Sequence, residues 1–240
     1  MMNPYEMTLD YLLHLPSVEK WQELQTLIQR FGNRQPLHWR LPLSTCCAIG
    51  GSEADAIPAM AAIASLHTSL KLVDDMLDDD PQGDYQSIGE AAAANFALAL
   101  QTVGLEALAT CSQLPDRLLG MMNMYMEVAT TTGLGQFWDV QGVSSEEQYW
   151  QVVRYKGGPF FGLAFALGAW MGGASAELVT QFQTLGNHYG TMIQLHDDLS
   201  DSMTVPAGPD WAPGRATLPI LFAQDVPHAE QRHFITLRAA

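Results

Sequence analysis

Ser52-Glu-Ala-Asp-Ala-Ile-Pro58-Ala-Met-Ala-Ala-Ile-Ala-Ser-Leu-His67-Thr-Ser69-Leu70-Lys71-Leu-Val-Asp74-Asp75-Met-Leu-Asp78-Asp79-Asp80-Pro81 decides the fold. Ser52 reads as a helix cap with Glu53 in the first turn. A long Ala-rich apolar helix follows to about Asp79 and stops at Pro81-Gln82-Gly83, with Pro58 either kinking it or marking its true start. Asp74 and Asp78 are four apart on one face, and Asp75 and Asp79 form a second such pair. All of them crowd a helix C-terminus, where the macrodipole disfavours each exposed carboxylate by about 0.3–1 kcal/mol. Like charges at this spacing add to the cost. A divalent cation turns that repulsion into attraction.

The pattern recurs once. Gln194, Asp197, Asp198 and Asp201 end another helical run, and Asp197 and Asp201 are again four apart. The ligands on offer are oxygens, with no Cys/His metal spacing, which favours magnesium, manganese or calcium over zinc. The looped Asp-x-Asp-x-Asp-Gly spacing of a calcium site is absent. A solvated helix end explains one such cluster as well as a metal does, but explains two poorly.

The remaining pattern is helical nearly throughout. Residues 19–31 predict an amphipathic helix with Trp21, Leu24, Leu27 and Ile28 on one face. Residues 43–49 predict a short helix ending at Gly50-Gly51. Ser87 with Glu90 reads as a capping box for a helix toward Cys111, and Pro115 opens another through Ala129. Ser144 or Ser145 opens the next, interrupted at Gly157-Gly158-Pro159, and the last strong helix covers 176–202. No alternating strand run is found. The expectation is an all-α single domain over residues 1–240. Gly168, Gly172 and Gly173 read as close helix packing or helix ends. Met121, Met122, Met124 and Met126 read as core filler.

The formal net charge of -15, with 11 Lys plus Arg, argues against a nucleic-acid partner and against docking on an anionic membrane. Cys46, Cys47 and Cys111 are read as buried thiols of a reducing cytoplasm, not a disulfide framework. The first fifteen residues lack a basic region and are not read as a signal peptide. No uninterrupted apolar run of membrane-spanning length is seen.

At these residues the chain resembles the trans-isoprenyl diphosphate synthase (polyprenyl synthetase) family, from about Arg40 to Ala223. Asp74, Asp75 and Asp78 stand in the places of the family's first DDxxD motif, and Gln194-Leu-His-Asp197-Asp198-Leu-Ser-Asp201 resembles its second. Gly135-Gln136-Phe-Trp-Asp139 matches a GQxxD element, and Lys156-Gly-Gly sits where Lys-Thr-Gly is usual. Gly214-Arg215-Ala-Thr217-Leu-Pro219 resembles a Gly-Lys-x-Thr-x-Pro element. The resemblance implies an antiparallel helix bundle of the isoprenoid synthase type around a deep central cavity. It also implies that Asp74, Asp75, Asp78, Asp197, Asp198 and Asp201 hold magnesium, three ions in all, with manganese as the substitute. The substrate implied is an allylic prenyl diphosphate, whose leaving group the metals stabilise while an acceptor, usually isopentenyl diphosphate, attacks the allylic cation. Lys156, Arg215, Gln136 and Gln194 are the implied diphosphate or site partners, and the family is usually a homodimer. Lys156 as a surface lysine is the plain alternative. His67 lines the cavity or is a hydrogen-bonded core histidine.

Three departures stand out, and the first two fall on the acceptor's diphosphate site. No Arg pair follows the first motif, where Asp79-Asp80-Pro-Gln-Gly stands instead. The usual Gly-Gly-Lys-x-x-Arg-Pro element is replaced by Asn33-Arg34-Gln-Pro-Leu-His38-Trp39-Arg40-Leu41-Pro42, with Arg40 displaced by one position. The chain ends about twenty residues after Pro219, where members of the family usually continue. The segment around Lys71 and the short length are similar to those of the prenyltransferase of moenomycin biosynthesis, whose acceptor is of phosphoglycerate type. Lys71 is accordingly a candidate substrate contact, or a helix salt-bridge partner of Asp74 or Asp75. Leu70 and Ser69 fall where the family places the floor of the chain cavity, and neither is aromatic, which implies room for fifteen carbons or more. The alternatives to elongation with isopentenyl diphosphate are transfer to another acceptor, a class I terpene cyclase, and a non-catalytic subunit of a heteromeric synthase. The cyclases usually carry an Asn-Ser-Glu second motif, and inactive subunits commonly lose their Asp motifs; this chain has neither feature.

Overall fold

The computed structural model describes residues 3–111, 115–205, 211 and 217–238. Among them every regular element is helical. The helices are α1 (Pro4–Leu13), α2 (Pro16–Glu19), α3 (Gln22–Asn33), α4 (Leu41–Ile49), α5 (Glu53–Leu77), α6 (Tyr85–Ile88), α7 (Glu90–Ala109), α8 (Pro115–Gln141), α9 (Glu146–Lys156), α10 (Gly158–Met171), α11 (Ala176–Ser202), α12 (Leu218–Asp225) and α13 (Gln231–Arg238). A single 3-10 turn, Leu37–Arg40, precedes α4. Two compact units can be drawn, one of residues 1–129 and 161–186, the other of residues 130–160 and 187–240.

The first unit is built on α5, which packs chiefly along α7 and also against α1, α3 and α4. Its start is fixed by a reciprocal cap: the Ser52 side chain accepts from the Asp55 N–H, and the Asp55 carboxylate accepts from the Ser52 N–H. Pro58 lies inside the helix and neither starts nor breaks it. A helix apolar all round belongs in a core, and Met60, Ile63, Leu66 and Leu72 are each 0% exposed. Each such burial contributes about 1.5–3 kcal/mol. Ala59, Ala61, Ala62 and Ala64 between them are small enough to let neighbouring helices close in. α5 and α7 are also long and apolar enough to cross a membrane by length and composition alone. For α5, 72% of the apolar window is buried inside the protein, as in a core helix. The expected close packing of Gly168 is real: a Cβ there would lie 2.8 Å from Pro42 Cα of α4.

The second unit has its own core, Val143, Tyr149, Val152, Val153 and Leu221, with Trp138, Trp150, Leu195 and Leu218 against it. Gly135 of α8 touches the backbone of Tyr155 and Lys156, where no side chain would fit. Ser145 caps α9 by accepting from the Gln148 N–H.

Several expected boundaries move. Residues 19–31 form two helices because the chain turns at Lys20 and Trp21 between α2 and α3. α8 continues past Ala129 to Gln141, which puts Gln136 and Asp139 on a helix. Ser87 caps nothing. It lies in α6, its Oγ donates to the Asp84 carbonyl and accepts from Arg30, and α7 starts at Glu90 after Gly89 turns the chain at φ +85°. The break between α9 and α10 at Gly157 is as expected, whereas α12 and α13 were not anticipated. Only Cys46 of the three free cysteines is buried. Burial, with Cys47 and Asp55 nearby, pushes its thiol up to about 11. Met121 is fully buried but Met126 is exposed, so core filling does not describe the whole methionine run.

Candidate active site

The first carboxylate cluster closes α5. Asp78 is the C-cap residue, its N–H donating to the Asp74 carbonyl at 2.9 Å. Asp79 then takes a left-handed φ of 51°, a conformation that Asp tolerates better than bulkier residues. That reversal lets the Asp80 N–H return to the Asp75 carbonyl at 3.0 Å. Asp74 and Asp78 are half-buried, whereas the Asp75 side chain is only 2% exposed. Lys71, one turn earlier, donates to Asp75 Oδ1 and lies 4.0 Å from Asp80 Oδ2. Burial pushes the Asp75 carboxyl above its ordinary range, against the pull of Lys71. Burial also works against the charged form of Lys71, but its bond to Asp75 and the charges of Asp75, Asp74 and Asp80 hold its pKa above the ordinary value. Of the two sequence readings of Lys71, the salt bridge is the one formed.

The second cluster closes α11 in the other unit. Asp197 is 62% exposed, with His196 Nδ1 at 3.6 Å, and Asp201 is exposed. Asp198 is buried, at 5% exposure. Its Oδ2 accepts from the Tyr149 hydroxyl at 2.5 Å and its Oδ1 from Gln194 Nε2 at 2.8 Å. Burial first, then the adjoining carboxylate, pushes the Tyr149 hydroxyl well above its ordinary pKa, so it stays a donor. Gln194 is thereby engaged within its own helix. Lys156, the last residue of α9, donates to Asp139 Oδ2 at 2.5 Å. Gly135 makes that approach possible by letting α8 lie against the end of α9. Gln136 is buried on the same stretch of α8, and Ser202 Oγ lies 3.0 Å from Thr217 Oγ1. Arg215 lies outside the described residues.

The remaining expected site residues lie on α5 and on the 3-10 turn. Ser69 is fully buried, and its Oγ donates to the Ala97 carbonyl of α7 at 2.8 Å. It is part of the α5–α7 seam and not an open floor, while Leu70 is partly buried. His67 is a hydrogen-bonded core histidine. Its Nδ1 lies 3.1 Å from Trp39 Nε1, its ring 4.1 Å from that of His38, and burial holds it well below its ordinary pKa. Arg40 is exposed at the end of the 3-10 turn. Sequence reasoning missed Tyr149, whose partner is 49 residues away, and also Asp84. Asp84 is 7% exposed and held by Arg34 through bonds of 2.7 and 2.9 Å, with Arg30 at 3.4 Å. The four-residue spacing of Arg30 and Arg34 on an amphipathic helix was the available signal.

Among the described residues, no three His, Cys, Asp or Glu side chains are drawn together closely enough to hold a metal by themselves. The donors at the two helix ends are carboxylate oxygens, the kind that magnesium takes one or two of while it leaves the rest of its shell to water and phosphate.

The family model for polyprenyl synthetase matches residues 38–238. The chain is 28% identical over 192 residues to a geranylgeranyl diphosphate synthase of Methanosarcina mazei, covering 73% of this chain and 59% of that protein. It is 31% identical over 180 residues to a nonaprenyl diphosphate synthase of Mycobacterium tuberculosis, covering 69% and 52%. The fold is similar to that of a geranylgeranyl pyrophosphate synthetase from Geoglobus acetivorans, at a TM-score of 0.81 and 21% identity over 98% of this chain and 81% of that one. A synthetase of the same name from Pyrococcus horikoshii gives 0.83 at 20%, over 96% and 76%. The chain spans about three fifths of the length of the curated relatives it matches. The matched span, the all-α fold and the order of the motifs agree: the chain belongs to the polyprenyl synthetase family, the trans-isoprenyl diphosphate synthases.

Proposed function

We propose that this chain is a magnesium-dependent prenyltransferase that ionises an allylic diphosphate and joins the prenyl cation to isopentenyl diphosphate, giving a product of fifteen carbons or more. One observation carries the reading. Each of two helix C-termini ends in an i, i+4 carboxylate pair, Asp74 with Asp78 and Asp197 with Asp201, where the helix dipole would favour cations. Asp74 and Asp78 in one unit, and Asp197 and Asp201 in the other, would hold magnesium, three ions in all, and manganese would serve in its place. When bound, the metal neutralises charge that grows on the departing diphosphate. Lys156 supplies a further cation for diphosphate, held in place by Asp139. Arg215 is proposed for the same task, and Gln136 is proposed as a neutral donor to the diphosphate. An allylic cation is captured by water in a wet site, so the apolar helices must close it off. We further propose that residues 1–240 act as one domain, that the protein is a homodimer, and that it works in the cytoplasm.

The alternative acceptor has an observation of its own. The arginines that reach the segment after the first motif, Arg30 and Arg34, are committed to Asp84. An acceptor other than isopentenyl diphosphate is therefore the second reading.

The test is to incubate the full chain with magnesium and allylic diphosphates of ten, fifteen and twenty carbons, with and without isopentenyl diphosphate. Products are followed by mass spectrometry. Chain-lengthened diphosphates that need both substrates support the first reading. Cyclised hydrocarbons without isopentenyl diphosphate would identify a cyclase. Turnover of the allylic diphosphate only when a different acceptor is supplied would select the second reading. No turnover in any arm would leave a non-catalytic subunit.

A further inference from the structure

The helices α3 and α7 both pack on α5, and a pocket of about 320 Å³ lies between them. That is the small end of the range for small-molecule sites. One wall follows a single face of α3, where Glu23, Thr26, Leu27 and Arg30 stand at i, i+3, i+4 and i+7. Ile88 at the end of α6, with Ala92 and Phe96 of α7, forms the other. Phe96 is held in place by Trp21, the ring centroids 5.4 Å apart. Ala92 offers only a methyl group, which leaves the space unfilled. The middle of the pocket is apolar, because Leu27, Ile88, Ala92 and Phe96 have no polar side-chain atom and Thr26 Oγ1 donates to the Gln22 carbonyl of its own helix at 2.9 Å.

The two ends carry opposite charge. Glu23 and Arg30 are seven residues apart, about 10 Å along the helix. Arg30 belongs to a group with surplus positive charge, two guanidiniums to one carboxylate. Arg34 makes the two short bonds to Asp84, at 2.7 and 2.9 Å, and Arg30 reaches the same carboxylate at 3.4 Å. Arg30 makes that contact, and a 2.8 Å bond to Ser87 Oγ, with Nη1 alone. Its side chain is 41% exposed, so Nη2 and Nε can donate to an anion entering the pocket.

We propose that this pocket is an accessory binding site for an amphiphile with one anionic head group, a carboxylate or a phosphate on an apolar chain of about eight to ten carbons. At about 30 Å³ for each water-sized group, the volume admits on the order of ten such groups. The head pairs with Arg30, and the chain covers Leu27, Ile88, Ala92 and Phe96. Glu23 at the far end repels a second anionic group, so the site selects for a single head. None of these residues belongs to the proposed prenyl-transfer machinery, and the inference does not depend on that reading.

The test is calorimetric titration of the full chain, without divalent cations, with octanoate and with geranyl monophosphate. Octanol and geraniol are the neutral controls. At least one of the two anions should bind saturably to one site, about tenfold or more tighter than its alcohol. Octanoate binding marks a fatty carboxylate as the ligand, and binding of geranyl monophosphate alone marks an isoprenoid phosphate; either supports the site. Ala92→Trp fills the pocket and Arg30→Met removes the cation, and each should weaken binding about tenfold or more. Glu23→Gln removes the like charge and should tighten binding about two- to fivefold. Circular dichroism checks the fold of each variant, with Ala92→Leu and Arg30→Gln as replacements where the first choice does not fold. Saturable binding of neither anion overturns the proposal, and so does an alcohol that binds as tightly as its anion. Parent-like binding by Ala92→Trp places the ligand elsewhere on the protein and overturns it too. Parent-like binding by Arg30→Met, or unchanged or weaker binding by Glu23→Gln, overturns the assignment of the head to Arg30 and with it the proposal.

Discussion

Tyr149→Phe deletes one oxygen and isolates what holds the second motif in place. In the parent, the Asp198 carboxylate is 5% exposed and accepts from Tyr149 at 2.5 Å and Gln194 at 2.8 Å. A hydrogen bond to a charged group is worth about 1.5–3 kcal/mol, and the acceptor left behind is too buried for water to replace the donor freely. The ring itself stays in the apolar core with Val152, Val153 and Leu221, so packing is nearly unchanged. For a chain of this size each kcal/mol moves the midpoint by about 2–4 °C, so the variant should melt about 3–12 °C lower. Urea unfolding followed by far-ultraviolet circular dichroism gives the free energy directly. Gln194→Met should show a comparable loss, and the double variant should depart from additivity by about 0.5–3 kcal/mol because both groups serve one carboxylate. A change under about 0.5 kcal/mol in Tyr149→Phe refutes the reasoning, because Asp198 would then turn outward at no cost and stand as a ligand beside Asp197.

Asp74→Ala and Asp197→Ala should each cut prenyl transfer by about a hundredfold or more while leaving the circular dichroism spectrum unchanged. Ser69→Phe should destabilise the fold, because the ring must enter the α5–α7 seam where Ser69 bonds Ala97; a shorter product at unchanged melting temperature would restore its role as a cavity floor. Gly135→Ala should lower the melting temperature and weaken diphosphate binding by pushing α8 off the end of α9; calorimetry with inorganic pyrophosphate that matches the parent would refute this. Burial raises the Asp84 pKa, but the bonds to Arg34 and Arg30 more than reverse this, so the folded value lies below the ordinary 3.8. The stability Asp84 contributes is then complete above the unfolded value and lost as pH falls through the folded one. The stability gap between the parent and Asp84→Asn should accordingly close as pH is lowered from neutrality to below that range, and a gap independent of pH would count against the ion pair.

Local signals carried most of the helix assignment. Ser52, Pro81 and the Gly50-Gly51 pair bracket their helices in the sequence as they do in space, because caps and breakers act within one turn. The failures came where a local signal was outbid. Ser87 and Glu90 satisfy the capping-box pattern, yet Arg30 and the Asp84 carbonyl take the Ser87 hydroxyl and Gly89 starts the helix instead. α8 runs on past Ala129 although Gly133 and Gly135 lower local propensity, and the close packing at Gly135 requires glycine there.

The sequence alone determined that the chain is helical and that two helices end in paired carboxylates, because i, i+4 spacing and Pro or Gly punctuation are properties of a single segment. Even the Lys71–Asp75 pair is within reach of such reading, being one helical turn. Which aspartate of each motif is committed to the interior was decided elsewhere. Tyr149 meets Asp198 across 49 residues, Arg34 meets Asp84 across 50, and Ser69 meets Ala97 across 28. No spacing rule connects such partners. Burial makes an unbonded polar group costly, and only packing brings the distant partner that removes the cost.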